Sequence, residues 1–116
     1  MAAPVVHFEI LGKDGKSLQN FYSKLFAWEI DANNPINYGL VKAAGPTGIG
    51  GGVGAAEPGA PGYVTFYVAV PDLAACLKKV ESLGGKTLVP PTEIPNIVTF
   101  ALFQDPEGHT IGLVKG

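Results

Sequence analysis

Hydrophobic and polar positions alternate over residues 5–11. Val6, Phe8 and Ile10 fall on one side, and Val5, His7 and Glu9 on the other, which is the period of a strand. Asp14 follows as a candidate helix N-cap. Leu18, Phe21, Tyr22 and Leu25 then recur at i, i+3, i+4 and i+7, one face of a helix. Residues 27–30 predict a short strand, broken by Asn33-Asn34-Pro35. Residues 37–43 predict another. Residues 47–54, TGIGGGVG, predict a third that is thinned by its glycines. Residues 57–62 are Pro- and Gly-rich and read as a linker.

The same order then returns. Residues 63–70 are rich in β-branched and aromatic side chains and predict a strand, stopped by Pro71. Asp72 is a second N-cap. Leu73, Cys76, Leu77, Val80 and Leu83 form a helix face, and Gly84-Gly85 ends it. Residues 86–89 predict a strand that Pro90-Pro91 closes. Residues 97–103 predict another, Asp105-Pro106-Glu107-Gly108 a tight turn, and residues 109–114 the last strand. Sliding the second half over the first lays Phe66 on Phe8, Asp72 on Asp14 and Leu83 on Leu25, all at one constant shift. The chain is one unit written twice, each copy β-α-β-β-β. The phases place Phe8, Phe21, Phe26 and Phe66 in the core beneath the helices.

Composition narrows the functional classes. The 116 residues suit one domain with a real core. It is read as a single domain, with module one over residues 1–57, the linker near 57–62 and module two over 63–116. A net charge of −2 supplies no basic field for nucleic acid or an anionic membrane surface. No apolar run reaches the ~20 residues of a membrane helix. Met1-Ala2-Ala3-Pro4 lacks the basic and apolar regions of a secretory signal. One cysteine, Cys76, excludes an internal disulfide, so a cytoplasmic setting is expected. Cys76 lies on an apolar helix face and reads as a small core residue. The glycine cluster lacks the G-K-[ST] ending of a phosphate loop and makes room instead.

Three stretches carry a family resemblance. They are Val6-His7-Phe8-Glu9-Ile10; Phe21-Tyr22-Ser23-Lys24-Leu25-Phe26-Ala27-Trp28-Glu29, similar to a family helix end FY-x-x-L-F-G-W-E; and Asp105-Pro106-Glu107-Gly108 with Ile111-Gly112-Leu113, similar to a D-P-x-G-N-x-x-E-L ending. In this order they resemble the vicinal-oxygen-chelate superfamily of glyoxalases, bleomycin-resistance proteins and extradiol dioxygenases. The resemblance implies an α+β fold of two tandem βαβββ modules. Their strands would form a cupped mixed sheet, with the helices on the convex side and a pocket on the concave side. It also implies assembly as a homodimer.

Enzymes of that superfamily hold a divalent metal with His, Gln and Glu from the first and last strands of each module. This chain matches at one place only, His7. Thr65 stands at the second first-strand position. Gly112 replaces the last-strand Glu, and residues 50–54 carry no donor side chain. Glu9 shares the face of His7, and His109 reads as a solvated turn residue. The expectation is therefore no resident metal or other cofactor. Glycines at the vacated positions, among them Gly50, Gly51, Gly52 and Gly112, are expected to widen the cup.

The leading reading is metal-independent binding of a small hydrophobic or aromatic molecule, of the drug-sequestering type. His7, Glu9, Thr65 and Tyr67 would give polar contacts, and Trp28, Phe100 and Phe103 apolar walls. The alternatives are a metal-dependent lyase, isomerase or dioxygenase rebuilt on His7 and Glu9, and an interaction module with no ligand of its own. Whether catalysis occurs stays open at this point.

Overall fold

In the computed structural model, which describes residues 2–116 and so leaves Met1 outside, the chain is α+β. Its elements are β1 (Val5–Gly12), α1 (Gly15–Phe26), β2 (Ile30–Asp31), β3 (Gly39–Val41), β4 (Gly50–Ala55), β5 (Tyr63–Val70), α2 (Leu73–Ser82), β6 (Lys86–Ile94), β7 (Val98–Gln104) and β8 (Thr110–Lys115). The chain forms two compact units. The first is Val6–Val64; the second is Thr65–Gly116 with the segment up to Val5.

In the first unit the strand order is β2-β3-β4-β1, with β4 parallel to β1 and antiparallel to β3. Asp14 caps α1 from extended backbone, its carboxylate accepting the Ser17 N–H at 3.0 Å. The helix packs against β4. A Cβ on Gly15 would lie 2.6 Å from the backbone N of Ala55, so only glycine allows so close an approach. The buried stripe is rotated from the one the apolar periodicity predicts. Leu18, Gln19, Tyr22 and Ser23 face inward, whereas Phe21, Leu25 and Phe26 are exposed. Gln19 turns in because its amide satisfies two backbone carbonyls, of Val53 at 2.8 Å and Asn37 at 3.1 Å.

In the second unit the order is β5-β8-β7-β6, with β5 parallel to β8 and β7 antiparallel to both neighbours. Asp72 caps α2, accepting the Ala75 N–H at 3.0 Å. Leu73 and Leu77 of α2 meet Val70, Ala101 and Leu113, with Val68, Cys76 and Phe103 against them. Two expected core residues lie outside: Leu83, beyond the helix end, is 69% exposed, and Phe66 is 40% exposed. Pro90 and Pro91 do not close β6, which continues to Ile94. It is the end strand of this order and takes register shifts between Thr87 and Val89 and between Val89 and Thr92, where missing N–H groups are tolerated.

Candidate functional site

Alternation along β1 sends His7 and Glu9 to one face. Glu9 is buried to 6% exposure, and His7 is half-buried. On neighbouring β4, Glu9 pairs with Gly52 and His7 with Gly50. The Tyr38 ring lies on the bare backbone of Gly52, in the volume where a Cβ would stand. The loop before β3 delivers that ring. The Asn34 side chain holds both backbone groups of Tyr38, accepting its N–H at 2.9 Å and donating to its carbonyl at 2.7 Å. Asn37 turns the chain with φ 54°, a left-handed conformation that asparagine tolerates.

The Tyr38 hydroxyl joins the two β1 side chains. It donates to Glu9 Oε1 at 2.8 Å and sits 2.9 Å from His7 Nε2. A phenol has one proton, and the carboxylate takes it as a hydrogen bond, so His7 Nε2 is the donor to the Tyr38 oxygen. Burial lowers the His7 pKa from 6.5, which favours the neutral imidazole that this tautomer describes. Tyr63, at the start of β5, also donates to Glu9. Burial first, then the Glu9 charge and this hydrogen bond, push its phenol up to about 12. The result is a directed chain, His7 to Tyr38 to Glu9, with Tyr63 converging on the same carboxylate. A buried carboxylate demands such donors.

The other expected site residues divide. In the second unit Tyr67 is buried, its ring lying on Gly112, with which it pairs across β5 and β8. Thr65 is buried, and its hydroxyl donates to the Thr110 carbonyl at 2.6 Å. Phe100 has the parity of Leu102, which pairs with Gly112, so it shares the Tyr67 face. Phe103 does not: it packs in the core under α2. Trp28 packs 5.2 Å from Phe8, with Tyr22 and Phe26 nearby, on the face of β1 opposite His7 and Glu9. Each packs on the helix side of the strands in its own unit.

Gly52 and Gly112 hold tyrosine rings rather than opening space, and Gly51 lies under the Phe8 ring. The constant shift that aligns the first strands lays Tyr67 on Glu9, and Glu9 pairs with Gly52 while Tyr67 pairs with Gly112. The offset between copies therefore widens by an even number of positions before the last strand, and an even insertion preserves the face. Tyr38 and Tyr63 are functional candidates that sequence pattern missed. Neither the burial of Glu9 nor its pairing with Gly52 is a local property of the sequence, so no pattern marked them.

The chelate implied by the resemblance does not fit these donors. Among the described residues no three His, Cys, Asp or Glu side chains come together to hold a cation. His7 and Glu9 are joined through Tyr38, Thr65 is committed to a carbonyl, and Gly52 and Gly112 have no donor side chain. His109 belongs to the turn after β7, its Nδ1 2.9 Å from Asp105 Oδ2. The N–H of His109, above all, holds the Asp105 carboxyl below its usual 3.8.

The Glyoxalase/Bleomycin resistance protein/Dioxygenase superfamily model matches residues 5–113. Over 79 residues, 68% of this chain, the sequence is 34% identical to the protein named "Putative glyoxylase CFP32" in Mycobacterium tuberculosis and Mycobacterium bovis. That match covers 30% of the relatives, so the chain spans about a third of their length. A glyoxalase/bleomycin resistance protein/dioxygenase superfamily member from Vibrio splendidus superposes with a TM-score of 0.67 at 17% identity, covering 99% of this chain and 100% of that one. Methylmalonyl-CoA epimerase from Mycobacterium tuberculosis gives 0.67 at 16% identity, over 96% of this chain and 86% of that one. These structures share the fold, and the family match extends over nearly all of the sequence. The chain belongs to the Glyoxalase/Bleomycin resistance protein/Dioxygenase superfamily.

Proposed function

We propose that this chain binds a small hydrophobic or aromatic molecule without a metal, using the His7–Tyr38–Glu9 face of the first unit. The observation that carries this reading is the hydrogen-bonded chain through the Tyr38 hydroxyl. It commits the two metal-type donors of that face to a phenol, and a ring and polar heads lie together there. Such a surface suits a planar molecule with one polar group. The relatives' names, a glyoxylase and a CoA-ester epimerase, are in keeping with a small-molecule ligand. The single cysteine supports a reducing cytoplasmic setting, and a homodimer is part of the proposal, to be read by sedimentation.

The test combines elemental analysis with a thermal-shift screen of small aromatic compounds. The expected outcome is ligand-dependent stabilisation without bound metal, with affinity reduced about tenfold by His7→Ala, the scale of one lost hydrogen bond to a charged or polar network. Stoichiometric metal, lost together with turnover in His7→Ala, would overturn it. That outcome is the second reading, a metal-dependent lyase, isomerase or dioxygenase on His7 and Glu9. Its support is that His7 and Glu9 lie on one face of β1.

A further inference from the structure

We propose that His7 and Glu9 form a recognition site for a phenol, and that the Tyr38 side chain occupies it as a built-in ligand. This rests on the reading of that face as a metal-independent binding site, and it names the ligand class. The polarity of the pair is the first argument. His7 Nε2 offers a proton 2.9 Å from the hydroxyl oxygen, and Glu9 Oε1 takes the hydroxyl proton at 2.8 Å. A group that enters between them must accept on one side and donate on the other. A phenol does both, an aryl ether only accepts, and a carboxylate sets a second negative charge against Glu9.

The second argument is the seat of the ring. Gly52 gives the aromatic group a bare backbone to lie on. The third is how Tyr38 is attached. Asn34 holds its backbone N–H and carbonyl at 2.9 and 2.7 Å, so the loop is anchored independently of the phenol. The side chain can leave the seat while its main chain stays in place. The second unit repeats the ring on glycine, with Tyr67 on Gly112, but Thr65 stands where His7 does and donates to Thr110. Among the described residues, the second unit therefore has no imidazole at the strand position that matches His7. In the wild-type protein an external phenol competes with Tyr38, and its apparent affinity falls by the fraction of time the seat is filled.

The experiment removes the internal ligand. Tyr38→Ala, and Tyr38→Leu as a second variant that keeps apolar cover on Gly52, are titrated with phenol, anisole and toluene. Binding is followed by calorimetry and by recovery of the folded protein in denaturant. Phenol is expected to bind about tenfold or more tightly than anisole or toluene, and more tightly than to wild type. Tyr38→Phe, which keeps the ring in its seat, is expected to gain no phenol binding. Equal effects of phenol and toluene, or equal gain in Tyr38→Phe, would overturn the proposal. Absence of phenol-specific recovery in both truncated variants would do the same. If that happens while wild type still binds aromatic molecules through His7, only this inference fails. Stoichiometric metal on His7 removes the reading beneath it as well.

Discussion

Ala27 ends α1 at φ 57°, in the left-handed region where a Cβ crowds the following carbonyl. The residue is exposed, so no packing offsets that strain. Ala27→Gly is expected to stabilise the protein by about 0.5–1 kcal/mol, net of the extra freedom glycine gives the unfolded chain. A rise in the urea midpoint at unchanged m-value checks it. At Gly52 the opposite holds. An added methyl would overlap the Tyr38 ring, which is itself tied at its hydroxyl to Glu9 and His7. Gly52→Ala is expected to cost about 1–3 kcal/mol through overpacking. It should also free the phenol, visible as a shift of the Tyr38 ring resonances. Tyr38→Phe leaves the ring but strips the buried Glu9 of one donor, and a loss of about 1–3 kcal/mol is expected.

Helices α1 and α2 begin alike and bury different kinds of face. Both N-caps are aspartates at matching places in the two copies, Asp14 and Asp72, bonded to the backbone N–H of Ser17 and of Ala75. That signal is local, and the sequence alone located it. The buried faces are not local properties. On α2 the apolar stripe meets apolar strand residues, so Leu73, Cys76 and Leu77 pack as their spacing predicts. On α1 the close approach of Gly15 to β4 and the carbonyls that Gln19 must satisfy set the rotation. Apolar periodicity cannot see either effect. The energetic consequence is asymmetric. Leu77→Ala is expected to cost about 2–5 kcal/mol. Leu25→Ala, at a side chain 57% exposed, is expected to change stability by about 0.5 kcal/mol or less. Thermal denaturation of the two variants in parallel distinguishes them.

For the whole molecule, duplication made the βαβββ order readable twice, and the two copies agree. The polar network on the first-unit face was hidden because it depends on a tertiary event. The Asn34-held loop carries Tyr38 onto Gly52, across the turn that separates β3 from β4. His7 and Glu9 were legible from strand parity; the hydroxyl that joins them was not. The same network limits stability at both ends of the pH scale. His7 in the folded protein titrates below 6.5 because burial disfavours its charged form. As pH falls through 6.5, the unfolded chain binds a proton that the folded one refuses, and stability declines; above 6.5 this contribution is complete. Tyr63 behaves in the opposite sense. Its phenol is held up to about 12 against 10.0 in the unfolded chain, so the unfolded chain releases its proton first. Stability is therefore lost between 10.0 and about 12 as pH rises. Lysines titrate in that alkaline range too, so the informative quantity is the difference between wild type and Tyr63→Phe. Phenylalanine has no proton to release, and the variant's urea midpoint should decline less steeply there than the wild type's. Near neutral pH it should lie lower than wild type by the loss of one donor to Glu9. Parallel alkaline limbs for the two proteins would show that Tyr63 does not donate to a charged Glu9.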